Sequence, residues 1–315
     1  MIFEEAKKKL KGLAVVLVTP WTKSYKIDFE GLRENVRFIM DCGVREGKGA
    51  FFVACAGGEN MFMTSEEIKE AIKTVVEEVD GKTPVFFGTF YNSIESTIDL
   101  LKFGEKIGAY GAQVAPPYYT RPTLDEIFDF FKKLNSATEL GITVYNNYYS
   151  NGTDMPTQFV ERMATLDKVI GFKWMSTTRA NSLMTISKFK DRFNFFSNDI
   201  AGSIAEKMAG TKGLVSLIAN FAPEYDLMLW NLLEKGEYIK AFEHMMKFTI
   251  PYYQLVSYEQ LQTSPSVGVA NFWKAAMEIC GRPSGGVRPP QRPLAAAQET
   301  RLKEILVKAG FAKQR

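Results

Sequence analysis

The feature that most limits what this chain can become is a set of eight short apolar runs. They are LAVVLVTP (13–20), GAFFVACA (49–56), PVFFGTF (84–90), AQVAPP (112–117), ITVYNN (142–147), VIGFKWM (169–175), FNFFSND (193–199) and GLVSLIAN (213–220). Runs of this length, bounded by turn residues, read as strands buried on both sides. Such strands belong to a parallel sheet with helices covering its faces. Amphipathic, helix-like segments do lie between them, over 28–42, 65–79, 94–108, 124–135 and 156–165. Start and stop signals agree. Thr64 or Ser65 precedes the acids of one helix, Thr123 precedes LDEIFDFF, and Gly108, Gly111 and Gly210 stand where helices should end.

Eight strand–helix repeats are the count that closes a barrel. The rival is an open, doubly wound sheet, which usually follows its first strand with a glycine-rich phosphate turn. Here that turn reads TPWTKSYKID, and no Walker A or GxGxxG pattern occurs anywhere. After residue 222 the pattern becomes helical, at about 223–235, 237–257, 266–280 and 294–309, with no low-complexity linker. The expected fold is α/β, a (β/α)8 TIM barrel over 1–235 with a C-terminal helical extension over 236–315 packed on it.

The 315 residues are 46% hydrophobic and 24% charged, an ordinary globular balance, with a net charge of +3. That bias is too weak to imply nucleic acid, and no basic cluster with interleaved aromatics occurs. The run KKKLK (7–11) reads as a solvated helix end, and the slight excess suits a small anionic substrate. Cys42, Cys55 and Cys280 lie far apart without a CxxC pair. An odd cysteine count and a first segment unlike a signal peptide fit the cytoplasm. No apolar run approaches the roughly 18 residues of a membrane span.

In a strand, alternate side chains share a face. Val169, Gly171 and Lys173 therefore share one face of the sixth strand, and Thr143, Tyr145 and Asn147 one face of the fifth. If both faces point inward, the lysine and the tyrosine sit side by side near the C-terminal rim, where barrel enzymes keep their active sites. Removal from water disfavours an ammonium. A neutral amine can add to a ketone as a Schiff base, and a nearby phenol can move the protons. The same spacing also allows Lys173 to reach out to solvent and Tyr145 to fill the core.

Other constellations are poorer. The single histidine, His244, falls in a helix of the extension, far from any strand end, which removes support for a Ser-His-Asp triad or a His-ligated metal. Cys55 reads as a buried, inert thiol. Asn198 and Asp199 end the seventh strand, where a helix cap explains them and a ligand contact is also open. AGGEN (56–60) follows the second strand with two glycines, which either bring backbone N–H groups close to an anion or form a plain tight turn.

Taken together, these residues resemble the dihydrodipicolinate synthase / N-acetylneuraminate lyase family of Schiff-base-forming aldolases. The likeness spans about residues 12–290: VTPW, GGE after the second strand, PPYYTRP (116–122), VYN (144–146), GFK (171–173), SND (197–199), GLVSLIAN (213–220) and GGVRPP (285–290). The resemblance implies a (β/α)8 barrel that assembles as a homotetramer, a dimer of dimers. Lys173 matches the imine-forming lysine, and Tyr145 the proton-shuttling tyrosine. Tyr119 matches a tyrosine that in many members reaches a neighbouring subunit's site. Ala56 and Gly57 match the pair that holds the keto acid's carboxylate, and Val215 the residue whose carbonyl lies near it.

The departures are informative. The family's hydroxyl pair is replaced in CAGGE, and Ser150 stands where the synthase has a substrate-binding arginine. These differences argue against lysine-pathway dihydrodipicolinate synthase. Trp174 and Met175 suggest a bulkier or more apolar substrate end. The implied activity is that of a lyase on pyruvate or a related 2-keto acid, expected to be a 2-keto-3-deoxy sugar acid, with aldol cleavage or condensation as the first reading. Dehydration or deamination through the same imine is the alternative, and a non-catalytic 2-keto acid binder is the reading from another class. Ser150 and Asn198 complete the expected binding set with Ala56, Gly57 and Val215. No metal or other cofactor is called for, because the lysine supplies the electron sink. Neither nucleic acid nor membrane is an expected partner.

Overall fold

The computed structural model describes residues 1–91, 93–199, 201–263 and 270–313. Helix α1 (Ile2–Lys9) precedes strand β1 (Gly12–Val16). Then follow α2 (Phe29–Asp41), β2 (Gly49–Val53), α3 (Ser65–Val79), β3 (Val85–Thr89), α4 (Ile94–Lys106) and β4 (Gly111–Val114). Next come α5 (Leu124–Ala137), β5 (Gly141–Asn147), the one-turn α6 (Tyr148–Asn151), α7 (Thr157–Met163) and β6 (Val169–Met175). The barrel section ends with α8 (Arg179–Phe189), β7 (Asn194–Ser197), α9 (Ser203–Ala209), β8 (Gly213–Ser216) and α10 (Pro223–Glu234). All eight strands pair in parallel and in chain order, and β8 pairs with β1, so the barrel is closed. Helices α11 (Tyr238–Lys247), α12 (Thr249–Thr263), α13 (Ala270–Ile279) and α14 (Ala296–Lys308) form the C-terminal extension.

Two apolar layers hold this together. One lies between strands and surrounding helices and includes Leu13, Val15, Phe51, Val53, Phe172 and Trp174. The other fills the barrel and continues into the C-terminal helices, joining Phe52, Phe86 and Phe196 to Tyr252, Trp273 and Met277. Phe52 and Phe86 stack with centroids 5.1 Å apart, so the barrel centre is packed with side chains rather than open. Thr64 and Thr123 each cap their helix in a reciprocal box with Glu67 and Glu126, which satisfies backbone donors that otherwise have no partner.

The structure extends one local expectation and corrects three. The basic run at 7–11 ends a helix, as expected, and that helix, α1, buries Phe3 and Ala6 with the following Leu10 in the interior layer; Asn194 Nδ2 ties it down at Lys7 O and Leu10 O. The helix expected over 237–257 breaks at Phe248. Pro251 has no N–H to give the carbonyl of residue 247, which a continuous helix requires. Gly111 opens β4 instead of ending a helix, and a Cβ there would lie 2.3 Å from Gly141 O. Finally, Val169 does not share a face with Lys173. Ile142 pairs with Val169 but Thr143 with Gly171, so Ile170 is an extra residue in β6. This bulge resets the alternation: Val169 packs in the outer layer and Ile170 in the inner one.

Candidate active site

Beyond the bulge, the register sets Tyr145 directly beside Lys173. Both side chains line a cavity of about 620 Å³ at the C-terminal end of the barrel. Lys173 is 8% exposed, and its Nζ lies 4.3 Å from the centroid of the Tyr145 ring. Among the described residues no carboxylate comes within ion-pair distance of Lys173. A buried amine held in this way keeps its lone pair available whenever it loses its proton. Phe90 packs edge-on against the Tyr145 ring at 5.0 Å. The phenol oxygen accepts from Asn147 Nδ2 at 3.1 Å and donates to Ser150 Oγ at 3.4 Å. The phenol is therefore fixed in place and has a polar path away from it.

After β2 the chain makes a single 3-10 turn, Ala56–Gly58. The N–H groups of Gly58, Glu59 and Asn60 are used inside this turn, whereas those of Ala56 and Gly57 donate to no group among the described residues. Both residues line the cavity. Two free N–H groups at the start of a turn form a seat for an anion. A Cβ at 57 would come within 2.5 Å of Leu217 Cδ2 and 3.0 Å of Val16 Cγ1, so a larger residue there requires the Leu217 side chain to move. Cys55, just before the turn, is fully buried, and burial pushes its thiol up to about 12. A thiol so strongly protonated is inert as a nucleophile.

Behind the turn lies a second buried lysine. Lys274 Nζ is 2.6 Å from Glu59 Oε2, and both side chains are sealed from solvent. Trp21 Nε1 donates to the same carboxylate at 2.6 Å, and Gln291 Nε2 and Arg288 N donate to its other oxygen. Lys274 also donates to Gly286 O at 2.6 Å. Burial, partly offset by Glu59, pushes Lys274 down to about 8. This network ties the anion turn to the segment that follows α13.

The cavity brings together Lys173, Tyr145, Ala56, Gly57, Val215, Asn198 and Ser150 from the set expected on sequence. It does not include Tyr119, which is 85% exposed on the loop after β4. Met175 lines the cavity but Trp174 does not: Trp174 Nε1 donates to Ser182 Oγ of α8, on the opposite face of β6 from Lys173. Strand alternation, applied one residue further, separates these two neighbours. Asp199 is held by Arg179 at 2.6 Å and accepts from Gly202 N ahead of α9. His244 is half-buried away from the cavity, stacked on Tyr225 at 4.0 Å. Asn147 was not singled out beforehand; its place on the Tyr145 face was the available signal. Its Nδ2 holds the phenol, while its buried Oδ1 has no partner. A second hollow of about 800 Å³, at α1 beside Arg192 and Asn194, contains none of these groups.

Comparison with known proteins agrees with this fold. The sequence profile of the Dihydrodipicolinate synthetase family matches residues 9–309. The 4-hydroxy-tetrahydrodipicolinate synthase of Polynucleobacter asymbioticus is 27% identical over 312 residues, covering 97% of each chain. The crystal structure of a dihydrodipicolinate synthase from Thermotoga maritima superposes with a TM-score of 0.86 at 27% identity, over 96% of this chain and 99% of that one. A prophage protein of E. coli K12, described as a dihydrodipicolinic acid synthase family member in complex with pyruvate, matches in fold with a TM-score of 0.85 at 24% identity, over 96% and 99% of the two chains. With the profile extending over nearly its whole length, the chain belongs to the Dihydrodipicolinate synthetase family.

Proposed function

We propose that this chain is a Schiff-base lyase that makes or breaks the C3–C4 bond of a 2-keto acid, with pyruvate as the three-carbon partner. The observation that carries the reading is Lys173, buried in the cavity without a counterion among the described residues and in register with Tyr145. Lys173 Nζ adds to C2 of pyruvate and water leaves, giving an iminium. The carboxylate rests on the N–H groups of Ala56 and Gly57. The iminium draws electrons from C3, whose proton passes to the Tyr145 oxygen, deprotonated when it protonated the departing water, and leaves an enamine. Enamine C3 attacks the carbonyl carbon of an aldehyde, and the new C4 oxygen takes a proton through Tyr145. Water then releases the product and restores the amine. Cleavage runs these steps in reverse.

The product skeleton is a 4-hydroxy-2-keto-3-deoxy acid, the class that contains 2-keto-3-deoxy sugar acids. Loss of the C4 hydroxyl as water from the same intermediate makes dehydration the second reading. The missing hydroxyl side chains at Ala56 and Gly57, with Ser150 in place of a cation, favour a reaction other than that of the synthases. A homotetramer would present the exposed Tyr119 to a neighbouring subunit. A simple 2-keto acid binder would need neither Lys173 nor Tyr145.

The experiment is a panel of 2-keto-3-deoxy acids assayed for pyruvate release and for dehydrated product. Pyruvate release by the wild type, lost in Lys173→Ala, is the expected result. Reversible pyruvate binding with no turnover of any panel member supports the binder instead.

A further inference from the structure

The inner end of the cavity is fully committed to a 2-keto acid head, with two N–H groups for the carboxylate, Lys173 for the ketone and Tyr145 for the proton. The rest of the lining differs in kind. It is mainly apolar, with Met61 and Phe62 from the turn after β2, Met175 at the end of β6, Tyr253 and Val256 of α12 and Trp273 of α13, and with the Ser257 hydroxyl among them. We infer that the part of the substrate beyond C4 is uncharged and mainly hydrocarbon, so that the aldehyde joined to or released from pyruvate has a branched aliphatic or aryl body. This rests on the Schiff-base reading and narrows it.

Charge makes the first argument. Lys173 is the sole cationic side chain among the described residues lining the cavity. A second carboxylate or a phosphate against this lining would be taken from water without a counterion, which is costly. A cationic end fares no better. Of the two carboxylates on the wall, Glu59 is sealed and already receives Lys274 and Trp21, and Asp199 is bound to Arg179.

Hydrogen bonding makes the second argument. Gln291 donates to Glu59, and Asn198 Nδ2 rests on Met175 Sδ at 3.4 Å. Ser150 is engaged with Tyr145. A polyhydroxylated tail would set several hydroxyls against thioether and ring surfaces, and each one left unmatched weakens binding. A hydrocarbon tail gains from the same surfaces by burial, and unbranched methionines adapt to its shape.

The test is kcat/KM for aldol addition of pyruvate to isovaleraldehyde, benzaldehyde, glyceraldehyde and succinic semialdehyde, with borohydride trapping of pyruvate on Lys173 in the same preparation. At least one apolar aldehyde should exceed both polar ones tenfold or more, about the scale at which a hydrophobic pocket discriminates. Met61 is 53% exposed, so Met61→Arg should fold normally. It should narrow the gap between succinic semialdehyde and the apolar aldehydes at least tenfold. If the pyruvate adduct forms but glyceraldehyde or succinic semialdehyde is preferred, or no apolar aldehyde reacts, the inference is overturned and the Schiff-base reading stands. If no adduct forms, both fall together.

Discussion

Two lysines are buried near the mouth of this barrel, and their surroundings could hardly differ more. Lys274 is enclosed with Glu59, donates to a backbone carbonyl, and does not line the cavity. Lys173 lines the cavity, rests on a phenol ring and has no counterion among the described residues. Burial pushes Lys274 down to about 8, yet it does not line the cavity. Burial perturbs an amine, but only an open space beside it and a proton carrier within reach make it chemically useful. Lys274 is part of what holds the site together, and Lys173 is what the site presents.

This contrast can be broken by mutation. The largest effect should come from Lys173→Ala, which should abolish turnover while leaving thermal unfolding close to that of the wild type. Lys274→Met should do the reverse. It strands the Glu59 carboxylate in a sealed site, so denaturant unfolding should show a loss of about 3–5 kcal/mol, and pyruvate should still be trapped on Lys173. Tyr145→Phe should slow turnover at least tenfold, the usual minimum for a lost proton-transfer group. Asn147→Leu should cost less, several-fold in kcat with little change in KM, because the phenol remains but loses the donor that fixes it.

The smallest effect concerns pH. The folded chain releases the Lys274 proton near 8, whereas the unfolded chain holds it to about 10.5. Between these values the unfolded state binds more protons, so this group's contribution to stability rises with pH. Lys274→Met should lack that rise, so the gap in unfolding free energy between wild type and variant should widen from pH about 8 to about 10.5.

The sequence disclosed one of these lysines far better than the other. The strand pattern and the VYN and GFK strand ends put Lys173 and Tyr145 on adjacent strands, and the observed register pairs them directly. Position along a strand is a local property, and period-two alternation carries it. It failed where the strand is irregular: the bulge at Ile170 moved Val169 to the outer layer. It was also misapplied at Trp174, which alternation places opposite Lys173. Lys274 and Glu59 left no local trace, because their pairing joins the turn after β2 to α13 across most of the chain. Asn147 had the right face, but that it holds the phenol depends on side-chain geometry. The apolar cavity lining was equally hidden, since it is assembled from Met61, Met175 and two helices of the extension.

The measurement that bears most directly on the central claim is reduction with borohydride in the presence of pyruvate, followed by peptide mapping by mass spectrometry. The account predicts one pyruvate-derived adduct, located on Lys173 and absent from Lys274. An adduct on Lys274, or a protein that turns over its substrate with Lys173 unmodified and unneeded, would contradict it.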